Sequence, residues 1–134
     1  MIYAVIDTNV LVAALLTHNT NSATLKVIES IENGKITPLY NSEIIDEYID
    51  VLSREKFRFT KDLIKRHMEL FVEQGKQTER IHSTECFPDP KDVVFYEVAM
   101  SKEDAYLVTG NKKHFPQKPI VVTPSEMMEI LELE

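Results

Sequence analysis

A single carboxylate interrupts the most apolar stretch of this chain. Residues 2–16, IYAVIDTNVLVAALL, contain Asp7 and no other charged side chain. Residues 2–6 predict a short strand that is buried on both faces. Thr8 is then expected to cap a helix over Val10–Leu16. Because an unpaired carboxylate is costly to bury, the rest of the fold has to give Asp7 a partner.

Short apolar segments alternate with amphipathic segments along the rest of the chain. Further strands are predicted at 35–40, 105–109 and 119–123, and 78–83 is either a short strand or an extended linker. Helices are predicted over 22–33, 42–52 with Ser42 as the cap, 60–75, 90–101 and from Pro124 onwards. This alternation predicts an α/β fold, a three-layer sandwich with a four- to five-stranded, mostly parallel sheet, in one domain over residues 1–134.

The composition narrows the function classes. The formal net charge of −7 over 134 residues argues against a general polyanion-binding surface. Basic side chains nevertheless concentrate in residues 53–67, SREKFRFTKDLIKRH. No apolar run is long enough to cross a bilayer, and the N-terminus lacks the features of a signal peptide. The only cysteine, Cys86, is expected to be buried and excludes an internal disulfide, so a cytoplasmic location is expected.

Three acidic residues are predicted to face apolar surroundings near strand or helix ends. Asp7 follows the first strand, and Glu47 lies on the margin of the apolar face of helix 42–52. Asp92 precedes an apolar ridge formed by Phe95, Tyr96 and Ala99. Unneutralised carboxylates at one sheet edge would repel each other and take up protons, whereas Mg²⁺ binds such groups while keeping several waters. The pattern therefore predicts a metal site.

Each acid also has an ordinary structural explanation. Asp7 could cap the helix that follows it, and Asp92 could complete a capping arrangement with Asp89. Glu47 could form an ion pair with a lysine such as Lys26 or Lys35. No single one of these signals is specific, and only their joint occurrence at one inferred sheet edge favours the metal site.

Four segments of the chain resemble the PIN-domain family in their order and spacing. They are VIDTNVLVAALL, NSEIIDEYIDVL, DPKDVVFYEVAMSKEDAYLVTGNKKHF and IVVTPSEM. The likeness is greatest to the PIN-type toxins of toxin–antitoxin pairs and weakest in residues 55–82. It implies an α/β/α sandwich, Mg²⁺- or Mn²⁺-dependent cleavage of RNA that leaves a 5′-phosphate, a homodimer, and inhibition by a small antitoxin protein.

The resemblance also assigns residues to the site. The family's acids fall on Asp7, Glu47 and Asp92, which are the expected catalytic residues and metal ligands. The fourth position, often aspartate, is Asn111 here, whose amide oxygen can bind a metal but brings no charge. This departure favours weak or one-metal activity, and it leaves open a catalytically inactive PIN fold that binds RNA or a protein.

Other residues are expected to support the site or the substrate. Thr8, Asn9 and Thr109 could hold the ligands in place, and each is equally explicable as a strand-end cap. The residues expected to contact RNA are Arg54, Lys56, Arg58, Lys112 and Lys113, with His114 beside them. The alternative is that Phe57 and Phe59 belong to the core and that these charges lie on a solvated face and in a solvated turn. A haloacid-dehalogenase-like phosphatase ranks last, because that family needs an aspartate where Asn9 stands.

Overall fold

The computed structural model describes residues 2–134 as helices packed around a five-stranded parallel sheet. The strands are β1 (Ile2–Ile6), β2 (Ile36–Tyr40), β3 (Lys76–Gln77), β4 (Tyr106–Val108) and β5 (Val121–Val122). The α-helices are α1 (Thr8–Leu16), α2 (Ala23–Glu32), α3 (Ser42–Leu52), α4 (Lys61–Gln74), α5 (Val93–Met100) and α6 (Pro124–Glu132). The order in the sheet is β3-β2-β1-β4-β5, and each neighbouring pair is parallel.

The central strand β1 is covered on both faces. Successive residues Ala4, Val5 and Ile6 have no exposed surface, although their side chains point to opposite faces of the sheet. A parallel sheet needs helical crossovers, and these crossovers cover both of its faces. The predicted α/β sandwich with a parallel sheet is therefore confirmed.

Aromatic side chains join three of the helices to one another. The Tyr48 ring of α3 lies 5.3 Å from that of Phe71 in α4, in an edge-to-face arrangement. It also lies 6.1 Å from the ring of Phe95 in α5. Elsewhere in the fold, α2 packs against both α1 and α6. The packing around Tyr48 fixes the position of α3, the helix that carries Glu47.

Several local predictions differ from the structure at element ends. Thr8 is the first residue of α1 and Asp7 occupies the cap position. Asn41 rather than Ser42 caps α3, because its Oδ1 accepts a hydrogen bond from the Ile44 amide at 2.9 Å. Both differences are shifts of one residue, which local sequence preferences rarely resolve.

Larger differences fall between residues 76 and 92. The short strand lies at Lys76–Gln77, and residues 78–83 have no regular structure. The predicted helix 90–101 begins as a 3₁₀ turn, Pro90–Asp92, before α5. The prediction that Cys86 is buried was wrong, because it lies exposed in the irregular segment before this turn.

Gly75 allows the end of α4 to approach β2 closely. A Cβ atom at this position would lie 2.2 Å from the carbonyl oxygen of Phe71 and 2.4 Å from that of Pro38. Pro38 is tolerated in β2 because β3 pairs only with the two residues that follow it, Leu39 and Tyr40. The close approach explains why glycine, and no larger residue, precedes β3.

We expect Gly75→Ala to lower the free energy of unfolding by about 3 kcal/mol, because the two oxygens are backbone atoms that cannot move aside cheaply. Urea denaturation measures the loss. Gly110→Ala is the control, since its Cβ would meet Asn9 Oδ1 at an ordinary 3.4 Å. Equal stability of the two variants would show that the backbone at Gly75 relaxes without cost.

Candidate metal centre

The candidate site lies where the carboxyl ends of β1 and β4 meet. The Asp7 amide donates to the Val108 carbonyl at 2.9 Å, and so extends the pairing of the two strands to their last residues. Asp7 ends one strand, and Thr109, Gly110 and Asn111 follow the other. Polar side chains from both strand ends are therefore held side by side, as expected for a ligand crevice in a parallel sheet.

Asp7 is buried and is oriented by β4. Its side chain makes no capping hydrogen bond to α1, although the Thr8 backbone amide favours its charged form. Asp7 Oδ2 instead accepts a hydrogen bond from Thr109 Oγ1 at 2.8 Å. Thr109 Oγ1 in turn accepts from the Asn111 amide at 3.0 Å. Burial raises the pKa of Asp7, and the Thr109 bond only partly opposes this effect.

The other two polar residues after β1 have different surroundings. Asn9 is exposed, and its Oδ1 accepts a hydrogen bond from the Gly110 amide at 3.1 Å. This contact ties the start of α1 to the loop after β4. Thr8 Oγ1 is buried and has no hydrogen-bond partner among residues 2–134.

Asp92 carries a buried oxygen that is not hydrogen-bonded. The Oδ2 atom of Asp92 has no hydrogen-bond partner within the described chain, and the side chain is only 15% exposed. The turn before α5 is capped by Asp89, whose Oδ1 accepts from the Lys91 amide at 2.9 Å. Asp92 makes no side-chain cap of its own, so capping does not explain its position.

The electrostatic environment of Asp92 is unfavourable for a charge. Burial raises its pKa to about 6, and the nearby charges of Asp7, Asp89 and Glu47 act in the same direction. His114 opposes this rise. A carboxyl group in such surroundings either keeps its proton or binds a cation.

Glu47 is the least exposed acid of α3. Its side chain is half-buried, whereas Glu43, Asp46 and Asp50 are exposed, as the helical periodicity predicted. Glu47 forms no ion pair among the described residues, so the alternative in which it pairs with a lysine such as Lys26 or Lys35 is not observed. Its charge raises the pKa values of Asp7 and Asp92, which places it in the same electrostatic cluster.

Tyr48 is a supporting residue that the sequence analysis did not include in the site. Its hydroxyl donates to the Ile6 carbonyl at 2.5 Å and so fastens α3 to the end of β1. Burial and the charge of Asp7 raise the pKa of Tyr48 well above its ordinary value, so the hydroxyl stays protonated. The adjacent Glu47 is thereby kept near Asp7. The sequence feature that could have indicated this role is a tyrosine, with its polar hydroxyl, on the apolar face of α3.

His114 is the second residue whose place at the site was missed. Its Nε2 lies 3.0 Å from Asn111 Nδ2, and its Nδ1 lies 3.5 Å from Asp92 Oδ2. The sequence interpretation grouped His114 with lysines that face phosphates. Its spacing of three residues from Asn111, within one helical turn, was the only signal that linked the two side chains.

The predicted RNA-binding residues lie in two separate places. Arg54 follows α3, and its Nη2 is 3.9 Å from Asp50 Oδ2. The ammonium of Lys56 lies 5.1 Å from the centre of the Phe57 ring, which stacks on Phe59 at 5.6 Å. These residues follow α3 rather than the strand ends that carry Asp7 and Asn111.

The second basic group directly follows the site. The Nζ atom of Lys112 lies 3.1 Å from Glu126 Oε1, in the capping box of α6. Lys113 is exposed and takes part in no ion pair within residues 2–134. Lys113 is therefore the freer of the two lysines to meet a phosphate.

The donor set fits an ion that keeps much of its water shell. Within residues 2–134, no three His, Cys, Asp or Glu side chains are already arranged as a closed metal-binding group. Mg²⁺, however, is usually held by one or two carboxylates together with waters. The unpaired Asp92 Oδ2, with Asp7 and Glu47 close enough to affect its pKa, suits such open coordination.

A comparison with models of known protein families shows to which family this chain belongs. A sequence profile described as PIN domain matches residues 3–113, a range that includes Asp7, Glu47, Asp92 and Asn111 and ends just before His114. The chain belongs to the PIN domain family. PIN domains are generally metal-dependent nucleases, and they typically use Mg²⁺ or Mn²⁺. No curated protein and no solved structure matches this PIN domain. Among the described residues, no helix is both long and apolar enough to span a membrane.

The raised pKa of Asp92 predicts a pH-dependent stability in the absence of divalent ions. The folded chain holds this proton up to about pH 6, whereas the ordinary pKa is 3.8. Its stabilising contribution is therefore complete below pH 4 and is lost as the pH rises through 6.

We expect Asp92→Asn to be more stable than the parent at pH 7 by about 1–2 kcal/mol. This range is smaller than the full pKa shift would give, because solvent partly screens the Asp92 charge. The two proteins should be equally stable at pH 4. Urea denaturation with EDTA measures the difference, and Mn²⁺ should reduce it at pH 7 by stabilising only the parent. A difference that is independent of pH would contradict the prediction.

Proposed function

We propose that this PIN domain is a ribonuclease that binds Mg²⁺ or Mn²⁺ through Asp7, Glu47 and Asp92. The observation that supports this proposal best is the buried Asp92 Oδ2, which accepts no hydrogen bond within residues 2–134 and lies in the electrostatic field of Asp7 and Glu47. One buried and two half-buried acids near one another are destabilising unless they keep their protons or are neutralised by a cation. A divalent ion supplies that neutralisation.

The protein groups would have distinct tasks in this reaction. Asp7, fixed by Thr109, and Asp92, exposed on one side, hold the ion against the strand ends. Glu47 faces the same cluster from α3 and orients a water or the ion. When bound, the ion would make a water more acidic and neutralise charge on the scissile phosphate. Asn111 adds no charge, which favours a single ion.

Basic and aromatic residues favour RNA as the substrate. Phe57 and Phe59 stack nearly parallel, at 14°, beside Lys56 and the exposed Arg58. Phe57 is half-buried and lies outside the main core, whereas Phe59 packs against it. Aromatic faces beside cations suit unpaired bases and their phosphates. On a chain of net charge −7, this local patch would help to retain the strand.

Single-turnover cleavage of 5′-labelled structured RNA with Mn²⁺ tests the proposal. We expect Asp7→Asn and Glu47→Gln to slow cleavage by about 100-fold or more, because each removes a charge that holds the ion. Asp46→Asn is the matched control, since Asp46 precedes Glu47 but is exposed. EDTA should abolish cleavage, and the products should carry 5′-phosphates. Equal rates in all four proteins would refute the proposal.

One observation favours a second candidate function. Asn111 takes the place of an acid that the family often has, so the chain could bind RNA without cutting it. In that case the same RNA would be retained in a gel-shift experiment, and it would stay intact in Mg²⁺ and in Mn²⁺. Cleavage by the parent protein that is lost in Asp7→Asn would exclude this alternative.

The proposed biological role is that of a toxin restrained by a small antitoxin, as a homodimer. The resemblance to PIN-type toxins supports this role. In addition, α1 is apolar along nearly its whole length, yet Leu16 is 47% exposed, and Ile49 of the contacting helix α3 is 41% exposed. A protein partner or second copy would cover such residues.

Induced expression in bacterial cells tests the toxin role. We expect the parent protein to arrest growth and to lower the amount of intact RNA, because free ribonuclease is harmful. Asp7→Asn should have neither effect at the same protein level, measured by immunoblot. Equal arrest by both proteins would show that any toxicity does not depend on the acidic cluster.

A further inference from the structure

His114 contacts both Asn111 and Asp92. Asn111 has the size of an aspartate but no charge, and its amide contacts His114 Nε2 at 3.0 Å. This contact holds the other ring nitrogen, Nδ1, 3.5 Å from Asp92 Oδ2. The imidazole is thus fixed between the strand end that carries Asn111 and the turn that carries Asp92.

The contact between His114 and Asp92 is close but is not a hydrogen bond. Asp92 Oδ2 is buried and lacks a hydrogen-bond partner within residues 2–134, although His114 Nδ1 is its neighbour. The contact is an ion pair when His114 is protonated, and the 3.5 Å separation is also one that two ligand atoms of a single cation can have. The half-buried side chain of His114 also leaves room for waters on the outer side.

Asn111 can select the tautomer that such a role needs. Metal-bound histidines usually donate the N–H of the second ring nitrogen to an oxygen, which fixes both the tautomer and the ring orientation. The two ends of an asparagine amide have nearly the same shape, so a half-turn of the Asn111 amide brings Oδ1 to Nε2. Nε2–H would then donate to Oδ1, and the lone pair of Nδ1 would face the Asp92 carboxylate.

We infer that His114 is a nitrogen ligand, through Nδ1, of the divalent ion held by Asp92, and that Asn111 is the positioning residue that orients it. This inference rests on the proposed metal-dependent function. His114 would add one nitrogen to the carboxylates of Asp7, Glu47 and Asp92, and waters would complete the coordination. Imidazole favours transition metals, whereas Mg²⁺ prefers oxygen, so the site should select Mn²⁺ over Mg²⁺.

Electron spin-echo spectroscopy of protein-bound Mn²⁺ tests the ligand directly, and calorimetry with Mn²⁺ and Mg²⁺ tests the selectivity. The parent protein should show modulation from a directly bound ¹⁴N nucleus, and His114→Ala should lose it. His114→Ala should weaken Mn²⁺ binding by about tenfold or more, and Mg²⁺ binding much less. Asn111→Ala should weaken Mn²⁺ binding to a smaller extent. His18→Ala is the control, because His18 is exposed in the loop after α1.

The possible outcomes separate this inference from the proposed function. Mn²⁺ binding without a ¹⁴N signal, or with a signal that persists in His114→Ala, would overturn the ligand role and leave the acidic metal site standing. The same holds if His114→Ala binds both ions as tightly as the parent does. A parent protein that binds neither ion would overturn both proposals. Circular dichroism and thermal melting with EDTA verify that each variant is folded.

Discussion

The hydrogen bond from Thr109 to Asp7 joins the two halves of the site. It connects residues 102 positions apart, and it forms inside a buried strand end where water cannot replace it. The neighbouring bond from the Asp7 amide to the Val108 carbonyl keeps β1 and β4 in register up to that point. Because Tyr48 fastens α3 to the preceding residue, Ile6, the orientation of Glu47 depends on the same strand end.

The cluster has a cost in stability that a bound ion would offset. Burial and mutual repulsion raise the pKa values of Asp7 and Asp92, so the folded chain disfavours their charged forms relative to free carboxyl groups. Glu97, a buried acid away from the site, has hydrogen-bond partners within the fold. Glu97 accepts hydrogen bonds from Arg80 Nε and from the Ser83 amide, both at 2.6 Å, and its pKa is lowered. The contrast between a paired structural acid and unpaired site acids is the expected mark of a binding site.

Asn111, where the PIN family often has an aspartate, changes the charge and the contacts of the site. An aspartate there would add one more negative charge to a cluster that already raises the pKa of Asp92. The amide avoids this repulsion and contacts His114, so that an imidazole ring adjoins Asp92 instead of a carboxylate. A nuclease built this way would depend more on the identity of its metal ion than one with four acids.

The periodicity of the sequence by itself determined the helices and strands, the parallel sheet, and Asp7, Glu47 and Asp92 as the acids of interest. These features depend on neighbouring residues, whose spacing decides which side chains face the core. Only the tertiary structure decided that Thr109 orients Asp7, that Asp92 is left unpaired, and that His114 lies between Asn111 and Asp92. Those contacts join distant segments, and strand order and helix packing bring them together. A local pattern carries no information about such distances.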